Sequence, residues 1–195
     1  MNLINRAKNM LITPKTEWVV VAAETPNAGQ IVMGYVVPLA IAGAIAAFIG
    51  FGLIGLGFLG SSTSWGLFYA LILLINSILS VYITAFVVDA LAPSFGSEKN
   101  FGRSMQLVAY GATPTLVAGL FMILPVLAGI ILLVAVVYCI YLWYIGLAPV
   151  KKTPEDKQVA YLIVSIVVLI VVYWVLRMIL FRIFLSMLGL PGLMF

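Results

Sequence analysis

No charged residue lies between Arg103 and Lys151. At about 1.5 Å per residue, Met105–Val150 as one helix would reach about 70 Å, more than twice the hydrocarbon core of a bilayer. A chain of 195 residues has too much surface to hide such a run in a water-soluble core. The run must therefore cross a membrane, and it must fold back on itself once. The reversal belongs at Leu124-Pro125-Val126, because proline has no backbone N–H and ends or kinks a helix. Composition agrees. The chain is 65% hydrophobic and 8% charged, where soluble domains run at about 45–50% and about 25%.

Apolar runs of bilayer length predict five spans, near Ile31–Gly60, Trp65–Val88, Met105–Ile123, Leu127–Leu147 and Val159–Phe184. The expected fold is all-α, a polytopic membrane protein with residues 31–190 as its five-helix domain. Residues 1–30 read as a separate cytoplasmic segment and not as a cleaved signal, because no small-residue cleavage site follows a short apolar run. Leu3, Ala7, Met10 and Leu11 fall on one helical face, with Arg6 and Lys8 off it. Thr13-Pro14 then reads as a cap followed by a first-turn proline, ahead of a stripe of Trp18, Val21 and Ala22. Two short amphipathic helices lying in the interface are expected. Thr25-Pro26 and Thr153-Pro154 give the same cap signal at spans one and five.

Charge orients the spans. Arg6, Lys8 and Lys15, then Lys99 and Arg103, then Lys151, Lys152 and Lys157 all fall on one side, which the positive-inside rule makes cytoplasmic. The carboxyl terminus is then outside. Arg177 and Arg182 near the outer end of span five run against the bias and can snorkel to headgroups. A bacterial inner membrane is the expected location.

Composition also closes doors on chemistry. There is no His, so the commonest general base and zinc ligand are missing. Cys139, the single cysteine, lies in an apolar run and reads as a small buried hydrophobe. No phosphate-binding loop, dinucleotide fingerprint or metal cluster occurs, and no cofactor or metal is expected. The net charge of +4 is too scattered for a nucleic-acid partner. Tyr138, Tyr141, Trp143 and Tyr144 at one end of span four, and Trp65 and Tyr69 on span two, read as aromatic belts.

Polar residues inside spans mark the candidate site. Asn76, Ser80 and Thr84 recur every fourth residue on span two, which ends at Asp89. Gln106, Tyr110 and Thr113 share a face of span three, and Pro114 breaks the ladder beyond them. These seven residues define a polar seam. It either binds a solute or lipid headgroup, or is glue between helices, since polar groups in hydrocarbon need partners. Asp89 is either a functional carboxylate or a helix-end acid paired with Arg103 or Lys99. The spacing also brings Asp89, Gln106 and Tyr110 together near the cytoplasmic ends of spans two and three. Ala42, Ala46 and Gly50 form a small-residue face on span one, suited to packing within the chain or between copies.

Several short matches now occur in order. Pro14 and Trp18 precede Leu91-Ala92-Pro93-Ser94-Phe95-Gly96 and Lys99-Asn100-Phe101. Gln106 to Tyr110, Thr113-Pro114, Ala118-Gly119 and Pro125 follow. Tyr138, Gly146, Lys152-Thr153-Pro154, Lys157 and Tyr161 complete the set. Over residues 1–165 the chain resembles the Yip family, five-span membrane proteins named for interaction with Ypt/Rab GTPases, in its short bacterial-type branch. The resemblance implies a five-helix membrane domain with a cytoplasmic amino terminus. Eukaryotic members act in vesicle trafficking and oligomerise. This sequence lacks their Asp-Leu-Tyr-Gly-Pro element and has only a short segment ahead of Pro14, so the resemblance does not carry GTPase binding. Two functions stand side by side. One is a non-enzymatic organiser of membrane or partner proteins, with the bilayer and a second copy or another membrane protein as partners. The other is a small transporter, channel or lipid-handling protein that uses the seam.

Overall fold

The computed structural model describes residues 2–55 and 61–187. All the regular structure among them is helical. Helix α1 (Leu3–Ile12) and α2 (Pro14–Ala23) form a short hairpin. Span one is α3 (Ala28–Ile54), and span two is α4 (Thr63–Leu91), closed by a 3-10 turn at Ala92–Phe95. Span three is broken into α5 (Phe101–Gly111) and α6 (Thr113–Ala118), the latter running into a 3-10 segment at Gly119–Ile123. Span four is α7 (Pro125–Lys151) and span five α8 (Glu155–Met187). Among the described residues four of these are long and apolar enough to cross a bilayer alone, and five cross if the bent pair in span three counts as one span. Gly57 and Gly60 of span one, and residues 188–190 of the expected membrane domain, lie outside the described residues.

The breaks fall where backbone chemistry puts them. Span three bends by 41° at Ala112, two residues before Pro114, which has no N–H to give to the ladder. Thr113 covers part of the loss by donating its hydroxyl to Tyr110 O (2.5 Å). The chain then leaves helical geometry at Leu124 (φ −117°, ψ 81°), and Pro125 opens α7, which packs back along α6. The uncharged run reverses at the expected proline. Span one ends in a π-helical stretch, Phe48–Ile54, stopped by Gly55 at φ 81°.

Small residues set the interhelix distances. Gly43 lies over the backbone of Gly119, so that a Cβ there would sit 3.5 Å away. Gly50 leaves no room for a Cβ against Met122 O, and Gly52 meets Gly66 backbone to backbone. Ala46 is buried and Ala42 half-buried on the same helix. The glycines of span one are thus used for close approach to spans two and three of the same chain.

The core is concentrated at one end of the bundle. Met10, Trp18 and Val21 of the hairpin join Tyr35, Val88, Tyr110, Leu142 and Tyr161 in one buried cluster. Among the described residues the other end has a small cluster around Ala47, Met122 and Ala128. The hairpin therefore packs as part of the bundle end. Trp18 is fully buried against Gly146, where a Cβ would come within 2.9 Å of its ring. Replacing that indole with alanine would cost about 3–5 kcal/mol.

Two expected caps move. Span one is capped by Asn27, whose Oδ1 accepts from Gln30 N (3.0 Å), and not by Thr25. The Thr153 hydroxyl turns away from α8 to Leu147 O (3.2 Å) and Ser97 Oγ (2.8 Å). At span one Asn27 stands nearer the helix start than Thr25, and at span five other partners hold the Thr153 hydroxyl.

Candidate functional site

Two polar clusters lie at the packed end, on opposite faces of α5. Residues 104 and 106 are about 200° apart on a helix, and this separates the clusters. The first is built around Asp89. Its Oδ1 accepts from Asn100 N (2.7 Å), Ser104 Oγ (3.0 Å) and Lys151 Nζ (3.3 Å). Lys151 also donates to Ser104 Oγ (2.7 Å), and its side chain is wholly buried. The expected partners Lys99 and Arg103 are replaced by Lys151, the first residue after the uncharged run. Helix α7 delivers that lysine back to the end of span two.

Around this pair the loops are tied. Glu98 N donates to Lys151 O (2.9 Å), and Lys152 Nζ donates to the Glu98 carboxylate (2.9 Å). That second bond holds the Glu98 carboxyl below the usual carboxylate range. Phe95 stacks on Tyr161 (4.9 Å), and Tyr161 donates to Val88 O (2.6 Å). Gly96 takes φ +65°, which a side chain would disfavour. The sequence stretches around residues 91–101 and 152–161 that carry the family resemblance thus fold into one knot of loops.

The second cluster faces the hairpin. Arg6 is buried, contrary to its expected place off the packed face. It donates to Glu17 Oε1 (2.5 Å) and to the Glu24 carboxylate, and lies over the Tyr110 ring (5.2 Å). Asn9 donates to the other Glu17 oxygen (2.9 Å). Arg103 caps the end of α2, donating to Ala22 O (2.9 Å) and Glu24 O (3.1 Å) and to Gln106 Oε1 (3.1 Å). Gln106 gives its amide to Val21 O (3.2 Å). Beneath them Tyr35 bonds Thr113 Oγ1 (2.6 Å) and meets Tyr110 edge to face (4.9 Å). Tyr138 ties the hairpin to span four by donating to Leu11 O (2.9 Å).

The seam therefore divides. Gln106, Tyr110 and Thr113 do share a region, but it faces the hairpin and Tyr35. Asp89 meets the opposite face of α5 through Ser104, so its hydrogen bonds are made with Ser104, Asn100 and Lys151. Ser80 donates to Ser77 O within its own helix (3.3 Å). The Asn76 Oδ1 and Thr84 Oγ1 atoms are buried without a hydrogen-bond partner. Arg6, Glu17, Glu24 and Lys151 were not singled out from the sequence. One signal was present for two of them: Glu17 and Glu24 are seven apart, on the face that carries Val21.

An all-α bundle whose long apolar spans hold their backbone groups in helical hydrogen bonds defines a polytopic integral membrane protein. The comparisons then give the family. A family model described as the Yip1 domain matches residues 8–177, most of the chain, and the chain belongs to that family. No curated protein and no solved structure matches it.

Proposed function

We propose that this Yip-family protein is a non-enzymatic organiser of the membrane or of partner membrane proteins, acting from its packed end. The observation that carries the reading is that the seam residues at that end spend their polar groups on the chain's own atoms, while Arg6 Nε and Trp18 Nε1 are buried there without a hydrogen-bond partner. The Asp89 carboxylate, the Gln106 amide and the Thr113 hydroxyl are all bonded within the protein. A solute site would need polar groups left free to meet it. The hairpin, residues 1–30 of the expected division, then lies in the cytoplasmic interface against the five-span domain of residues 31–190. The amino terminus is cytoplasmic and the carboxyl terminus outside, in a bacterial inner membrane. Self-association through lipid-facing surfaces fits the family resemblance.

The alternative reading, transport through the seam, draws support from the unpartnered oxygens of Asn76, midway along span two, and Thr84, two turns further on. Reconstitution decides between the two. Vesicles containing the purified protein should stay tight to small cations, anions and neutral solutes, while the protein clusters or changes vesicle size. Solute flux that Asn76→Ala or Thr84→Val abolishes would overturn the organiser reading.

A further inference from the structure

The outer surface of the hairpin meets the lipid-facing surface of span four in a two-part groove. The first part is an apolar hollow of about 290 Å³ on α7, lined by Leu133, Val134, Val137, Tyr138 and Tyr141. It runs about 12 Å along the helix at 1.5 Å per residue. The second part, about 300 Å³, shares Tyr141 and is lined by Thr13, Lys15 and Thr16 among others. Tyr141, common to both parts, stacks on Tyr138 of the first at 5.6 Å. The groove is thus aliphatic on the span and carries one cation, Lys15, beside Ile12 and Pro14 at the hairpin, a profile that suits an amphiphile.

Charge sorting gives the headgroup its sign. Both acids of the hairpin, Glu17 and Glu24, are turned inward onto Arg6. Lys15 is exposed and makes no ion pair among the described residues. Lys8, also exposed, lies on the same hairpin, and Ile12 and Val19 are 66% and 64% exposed beside these cations. A surface of lysines and aliphatic side chains, with Glu17 buried and Glu24 paired to Arg6, complements an anionic leaflet. We infer that this groove binds one anionic phospholipid, its phosphate at the Lys15 ammonium and the upper part of one acyl chain along Leu133–Tyr141.

The inference rests on the interfacial placement of the hairpin proposed above, but its test is independent of topology. Purified full-length protein in detergent is stripped of lipid and titrated with dioleoyl-phosphatidylglycerol or dioleoyl-phosphatidylcholine, with bound lipid counted by native mass spectrometry. A surface lysine is expected to favour the anionic lipid about five-fold. Lys15→Gln should bring the preference to about two-fold or less. Val137→Trp, which fills the apolar hollow, should lower binding of both lipids. Both side chains are exposed, so neither change disturbs the core, and circular dichroism checks this. Equal binding of the two lipids by the unaltered protein, or a preference that survives Lys15→Gln, overturns the inference. So does full displacement of the phosphatidylglycerol by millimolar inorganic phosphate, which would make the site one for free phosphate. Selective lipid binding together with solute flux would leave this site standing and sink the organiser reading.

Discussion

Lys151→Met tests the knot of loops at its centre. Lys151 has no exposed side-chain surface, and Asp89 is 13% exposed at a distance of 3.3 Å. Removing one partner of a buried pair leaves the other charge uncompensated, at about 3–5 kcal/mol. Asp89 keeps two donors, Asn100 N and Ser104 Oγ, so the lower end applies, about 3 kcal/mol. Asp89→Asn is expected to cost a similar amount. The amide can still accept those hydrogen bonds, but it leaves a buried ammonium without its counter-charge. Neutral partners such as Gln106 and Tyr110 would have made that change nearly silent. The double variant Lys151→Met/Asp89→Asn should be more stable than the sum of the two single losses by at least about 1 kcal/mol, because the second change removes the orphaned charge. The assay is reversible unfolding of purified protein in bicelles, followed for all four members of the cycle. Strict additivity, or a Lys151→Met loss below about 0.5 kcal/mol, would refute the reasoning.

Two further outcomes follow from the same packed end. Trp18→Ala should destabilise by about 3–5 kcal/mol and open the hairpin, read as new proteolytic cleavage between Thr13 and Pro26 while the spans stay protected. Glu98 is held low by the Lys152 ammonium, so its folded value lies below its unfolded one. Its contribution is present above the unfolded carboxylate range and is lost as pH falls through the folded value. Glu98→Gln should therefore lower stability slightly at neutral pH and leave it unchanged at low pH, flattening the acid side of the profile, as measured by thermal unfolding across pH.

What the sequence made legible was whatever hydrophobic length decides. The uncharged run was too long for one span, so the reversal at Pro125 followed without knowledge of any contact. The bend at Pro114 was legible for the same kind of reason, a missing backbone donor. Partnerships between distant elements were not. Lys151 follows Asp89 by 62 residues, and as a loop lysine it counted toward topology, although the fold spends it on a buried ion pair. Arg6 looked solvent-facing because a stripe of apolar residues defined the packed face of α1. Its burial depends on Glu17 and Glu24 from α2, which no periodicity within α1 can register. Thr25 and Thr153 carried valid cap signatures, but Asn27 stood closer to one helix start and Ser97 claimed the other hydroxyl.

On the proposed topology the hairpin and both charged loops share one face of the membrane and close a single packed end there. Single cysteines introduced in a Cys139→Ser background test it directly. Lys15→Cys, Lys99→Cys and Lys157→Cys should react with an impermeant maleimide only after the cytoplasmic face is exposed, and Ser64→Cys should react from outside in intact cells. Labelling of any of the first three from the same side as Ser64→Cys would contradict the shared face, and with it the five-span arrangement.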